Sequence, residues 1–109
     1  MTEFYLCDLE DIKDGHGRGF TREDQEFFVV RQGDVFYPYL NVCPHLGIPL
    51  DWMPDQFLDA EGNYIQCKTH GALFEIQTGA CIEGPCSGDF LTALTARVEN
   101  GKVFIRFES

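Results

Sequence analysis

Four side chains in this sequence have the types and spacing to grip a metal. "CPHLG" sets Cys43 two positions before His45, and "CKTHG" sets Cys67 three positions before His70. Each box lets a thiolate and an imidazole converge from one tight turn. A single Zn²⁺ accepts two cysteines and two histidines tetrahedrally, but structural zinc sites commonly keep both cysteines in one box and both histidines in the other. Here each box is mixed, which suits a two-iron cluster with the thiolates on one iron and the imidazoles on the other. Spacing alone leaves both metals open. Either box by itself is weak evidence; the two together, each followed by glycine, point to metal binding.

Ligands must be held by something stiffer than themselves. Short aromatic and β-branched runs bounded by Gly, Asn or Pro predict strands at 3–7, 26–31, 35–41, 64–67, 72–76, 91–95, 96–99 and 102–107. No stretch of ten or more residues shows a helical period. "RQGDVF" and "ENGKVF" predict hairpins, the second through the type I′ turn that Asn100-Gly101 favours, and "IQTGAC" is a third candidate. The expected fold is all-β, a small antiparallel barrel or sandwich, with both Cys/His boxes on loops.

The chain has 109 residues, enough for one core, and is read as one domain over 1–109. A formal charge of −10 argues against nucleic acid and anionic membranes as partners. No apolar run is long enough for a membrane span and the N-terminal stretch is acidic, so a cytoplasmic location is expected. Five cysteines without a secretion signal favour metal or redox chemistry over a disulfide framework. Asp51, Asp55, Asp59 and Glu61 suggest an acidic edge that would meet a basic partner, although such runs are often only solvated loop.

With these features together, "CPHLG" and "CKTHGALFEIQTGACIEGP" resemble the Rieske [2Fe-2S] family over most of the chain. The resemblance implies a Rieske-type β-sandwich whose tip, made of two loops, carries the cluster, with Cys43 and Cys67 on the buried iron and His45 and His70 on the outer one. It also implies a third, covering loop, matched by Gly84-Pro85. Twenty-one residues separate His45 from Cys67, more than is usual in the family; extra loop length costs little entropy. Respiratory Rieske proteins carry an added cysteine in each box and a serine and a tyrosine that donate hydrogen bonds to cluster and ligand sulfur. The corresponding positions here are Ile48, Thr69, Ala72 and Phe74, so the chain resembles the soluble ferredoxin branch. Donors favour the more negative, reduced cluster. If each is worth about 1 kcal/mol, losing two lowers the potential by roughly 90 mV.

The remaining candidates have plainer readings. His16 is expected on a surface loop and Cys7 in the core. Cys81 and Cys86 share the spacing of part of a plant-type ferredoxin motif, but position 89 is Asp, and free thiols are expected. Ile48, Pro49, Trp52 and Met53 are candidates for an apolar docking rim, or for core. Two of three histidines are spent on the boxes, so no two-histidine, one-carboxylate iron site remains, and no βαβ unit offers a nucleotide site. The expected role is electron carriage without substrate chemistry, from a reductase to an oxygenase or other acceptor. The alternatives are a fixed small subunit of an oxidoreductase and a structural zinc module.

Overall fold

The computed structural model describes residues 3–42, 57–59, 61–67, 71–84 and 88–107. The described chain forms nine strands: β1 (Glu3–Asp8), β2 (Gly17–Arg22), β3 (Gln25–Gln32), β4 (Val35–Leu40), β5 (Tyr64–Gln66), β6 (Leu73–Glu75), β7 (Cys81–Glu83), β8 (Thr95–Glu99) and β9 (Lys102–Arg106), with a 3-10 turn at Leu9–Asp11. They pair antiparallel in three sheets, ordered β1-β9-β8, β2-β3-β4 and β5-β6-β7.

The sheets stack because of one sequence feature, the unbroken apolar run Phe27-Phe28-Val29-Val30 in β3. Neighbouring side chains on a strand point to opposite faces. Phe27 and Val29 therefore pack with Cys7, Ile12, Leu94, Val103 and Ile105, beneath the β1-β9-β8 sheet. Phe28 and Val30 pack with Tyr39, Phe57, Ile65, Phe74 and Ile76 instead, beneath β5-β6-β7. The β2-β3-β4 sheet is thus the middle layer, with a core on either side. Phe28 stacks on Phe57 with ring centroids 4.4 Å apart, an arrangement that adds to the roughly 1.5–3 kcal/mol of burying such a side chain.

Turn chemistry sets the register. Asn100 (φ 53°) and Gly101 (φ 74°) both adopt the left-handed backbone of the expected type I′ turn between β8 and β9. The β3–β4 hairpin turns at Gly33, also as expected. A hairpin absent from the sequence expectations joins β2 to β3 through Glu23 (φ 51°) and Asp24 (φ 68°), which adopt positive φ without glycine. The expected IQTGAC hairpin is the β6–β7 pair, although no strand was expected at β7's own residues, and 91–94 is not a strand. That segment touches β4 through the single bridge of Tyr39 with Ala93 and through two bonds, Leu40 N–H to Thr92 O and Leu94 N–H to Pro38 O (both 2.9 Å). Pro38 accepts from Leu94 but has no N–H to return, which stops a regular ladder.

The strands give the molecule two ends. β4 runs from Val35 to Leu40 and delivers the chain to Val42; β5 delivers it to Cys67, and β7 to Gly84. At the opposite end lie Gly33, the Gln77 side chain bonded to Gln32 (2.8 Å), and Gly15, whose N–H reaches Arg31 O (2.8 Å). Gly62 lies against the Gly15 carbonyl. The described part of the acidic stretch is therefore at the end away from the boxes, where the Asp59 carboxylate accepts the N–H groups of Asn63 (2.9 Å) and Tyr64 (3.1 Å). Asp59 builds a turn rather than a steering edge beside the boxes. Asp51 and Asp55 lie outside the described residues.

Candidate metal centre

Cys67 follows β5 directly and is fully buried among Phe28, Ile65, Ala72 and Phe74. Its N–H donates to Ala72 O (2.9 Å), and its own carbonyl accepts from Gly71 N–H (2.7 Å). These two bonds pin together the ends of the segment that contains His70, and Gly71 takes the positive φ (73°) the return requires. The first box is anchored just as closely. Buried Asn41 donates its N–H to Glu26 O (2.9 Å), and Val42 turns back onto Leu40 O (3.0 Å) immediately before Cys43.

The third loop approaches the second at a contact that only glycine allows. A Cβ on Gly84 (φ 111°) would fall 2.8 Å from Ala72 Cα and 3.0 Å from Ala72 Cβ. Across the base of this loop, Cys81 N–H donates to Asp89 O (2.8 Å). The bases of the second and third predicted loops therefore meet, while the first leaves β4 through Asn41 and Val42. Cys43, His45 and His70 lie outside the described residues, as do Pro85, Cys86, Ile48, Thr69 and the rim candidates Pro49, Trp52 and Met53. The structure thus places one predicted ligand, Cys67, and the supports of the others. An interior thiol in an apolar core, at the root of a pinned loop with a glycine-only cradle beside it, fits a metal cluster held between loops. Among the described residues, no group of three or more His, Cys, Asp or Glu side chains is arranged to hold a metal.

The surroundings are dry. Ala72 and Phe74 are fully buried and bring no hydroxyl to the site. Tyr39 is buried behind it with its hydroxyl donating to Ile76 O (2.6 Å), and burial, helped by neighbouring Tyr37, pushes its phenol up to about 12. The β6–β7 turn packs closely against that ring: a Cβ on Gly79 would fall 2.8 Å from Tyr39 Cε1. Sequence reading missed Tyr39 and the Gly84–Ala72 contact; the glycine of "IQTGAC" was the available signal for the first. The other thiols and the third histidine have local roles. Cys7 is in the core as expected, its thiol pushed up to about 11 by burial and by Asp11. Cys81 is buried with Sγ 3.5 Å from Glu83 O. His16 is exposed, its Nδ1 3.1 Å from Asp14 O.

Comparison with known proteins agrees with this geometry. Residues 2–100 match the model of the Rieske [2Fe-2S] domain. The chain is 30% identical over 96% of its length to the cytochrome b6-f complex iron-sulfur subunit of Chlorobaculum thiosulfatiphilum, of which it spans 54%. It is 31% identical over 99% of its length to ferredoxin CarAc of Metapseudomonas resinovorans, spanning 98% of that protein. Among solved structures, the ferredoxin of carbazole 1,9a-dioxygenase from Nocardioides aromaticivorans IC177 superposes with a TM-score of 0.81 at 28% identity, covering 99% of this chain and 100% of that one. A ferredoxin solved in complex with the oxygenase of carbazole 1,9a-dioxygenase gives 0.78 at 29% identity, covering 94% and 91%.

Proposed function

The chain belongs to the Rieske [2Fe-2S] domain family, and we propose that it is a one-electron carrier in which Cys43, His45, Cys67 and His70 hold the cluster. The thiolates of Cys43 and Cys67 would bind one iron and the imidazoles of His45 and His70 the other. When bound, the cluster takes up and returns a single electron. The carrying observation is the shared end of the molecule: buried Cys67, the pinned Gly71–Ala72 return and Gly84 laid on Ala72.

The protein's own groups do the rest. The apolar packing of Phe28, Ile65 and Phe74 keeps water from the Cys67 side, which limits reorganisation when charge changes. With no hydroxyl at 72 or 74, the reduced state loses two donors, placing the potential toward the lower part of the range of about −150 to +300 mV spanned by Rieske centres. Electrons would come from a reductase and go to an oxygenase or another terminal oxidoreductase, as the near full-length match to a ferredoxin and the ferredoxin–oxygenase complex support. The chain would act on no substrate itself. We read residues 1–109 as one domain, working in the cytoplasm; among the described residues no helix is long and apolar enough to cross a membrane.

Purified protein should be reddish-brown, bleach on reduction, and contain iron and acid-labile sulfide in equal amounts. His45→Ala and His70→Ala should each abolish that chromophore and its electron paramagnetic resonance signal. A colourless protein holding one zinc, or a chromophore indifferent to both substitutions, would overturn the proposal.

A further inference from the structure

Three large apolar side chains stand exposed along the feet of the loops: Val42 (44%), before the first box, and Ile82 (44%) and Phe90 (63%), on either side of the third loop's base. Ile82 and Phe90 lie across the base of the third loop from one another. Phe90 bridges antiparallel to Ala80, and Ile82, two residues on, is the extra residue of a β-bulge in which Leu73 pairs with Glu83 and Phe74 with Cys81. Cys81 between them points inward and is buried. Val42 directly precedes Cys43, and Phe90 lies two residues before Thr92, whose carbonyl accepts from Leu40. The pair therefore flanks the base of the loop that rests on Ala72.

Charge gives the occupant its character. Between residues 32 and 96 there are eight carboxylates and a single base, Lys68; of the eight, Asp34, Asp59 and Glu61 lie at the opposite end, and Asp51 and Asp55 are outside the described residues. Two of those carboxylates, Glu83 and Asp89, are exposed beside Ile82 and Phe90. Apolar contact at the centre of a charged surface is the anatomy of a protein interface, and a carboxylate rim selects a basic partner and speeds its arrival. We propose that Ile82 and Phe90, rimmed by Glu83 and Asp89, form the docking surface for a redox partner whose own centre is ringed by Lys or Arg around an apolar patch. This rests on the carrier reading above, and it moves the docking surface from the acidic 51–61 stretch to the β7 side of the loop end.

Oxidised cytochrome c, whose haem edge is ringed by lysines, is a defined probe of that chemistry. Its affinity for the oxidised holoprotein is read by titration calorimetry at several salt concentrations. Electron transfer is read separately by mixing it with reduced protein: one electron leaves the protein and ferric haem becomes ferrous, with no proton or bond exchanged. The Ile82→Ser/Phe90→Ser variant should bind about tenfold more weakly, with an unchanged visible spectrum and potential. Glu83→Gln/Asp89→Asn should flatten the salt dependence. Val35→Ser and Asp34→Asn, at the opposite end of β4, should match the parent.

Equal affinities across all variants overturn the docking surface. So does sedimentation showing that Phe90→Ser dissolves a dimer, since the face then belongs to a second copy. Reoxidation of the reduced protein by hexaammineruthenium(III), a small ion that needs no docking surface, keeps the carrier reading separate. If even that ion removes no electron, the carrier reading fails and the docking proposal with it.

Discussion

Replacing Gly84 by alanine should loosen the site without touching a ligand. The new methyl group would meet Ala72 Cα at 2.8 Å, closer than non-bonded carbons tolerate, and the φ of 111° is one that an L-residue resists. Gly88, in the same loop, has a φ of 99° and nothing within 4 Å of its would-be Cβ. Gly88→Ala therefore isolates the backbone term, about 1–3 kcal/mol. Gly84→Ala adds overpacking of about 1–3 kcal/mol. If the loop relieves that clash by lifting from Ala72, chelator-driven bleaching of the chromophore should run about 5- to 150-fold faster in Gly84→Ala than in Gly88→Ala, at 1.4 kcal/mol per tenfold. Urea unfolding followed by circular dichroism shows whether the loss is local or spreads to the domain. Equal bleaching rates in the two variants refute the claim that this contact holds the third loop down.

Phe28→Ala, which empties a fully buried position stacked on Phe57, should cost about 3–5 kcal/mol and lower the melting temperature accordingly. Ala72→Ser should raise the reduction potential by roughly 45 mV if its hydroxyl reaches the cluster with about 1 kcal/mol of preference for the reduced form; voltammetry showing no change or a fall refutes that assignment of position 72. Tyr39 makes a pH prediction. Its folded value, about 12, exceeds the ordinary phenol value of 10, so the folded state keeps the proton longer. Stability from this group is complete below pH 10 and declines as pH rises toward 12. Tyr39→Phe should flatten part of that alkaline decline in urea titrations, while destabilising at neutral pH through the unmet Ile76 carbonyl.

The elements legible in the sequence were those whose local chemistry agrees with their tertiary role. Asn100-Gly101 is a turn on composition alone, and the FFVV run of β3 must be buried whichever element carries it. β2 was hidden because its residues, GRGFTR, include two glycines, and because its turn is made by Glu23 and Asp24 rather than by Gly. The reverse error at 91–94 came from a missing group: Leu91 and Leu94 are buried, yet Pro38 opposite cannot complete the ladder. At the site, box spacing points to four candidate metal ligands, of which the structure describes Cys67. That spacing could not reveal the contact of Gly84 with Ala72, because a position's need for glycine depends on what the fold presses against it. The acidic stretch is settled at Asp59 alone, which turns its carboxylate onto the backbone; Asp51 and Asp55 lie outside the described residues.

β3 is a party wall, with one room of the building on each side. Damage to either room is felt in the other, so the protein has no easy way to melt by halves, and deuterium should enter last at the amides of 27–30. It also narrows the inheritance open to those four positions: a substitution there must please two sets of neighbours at once, and those neighbours include the residues around Cys67.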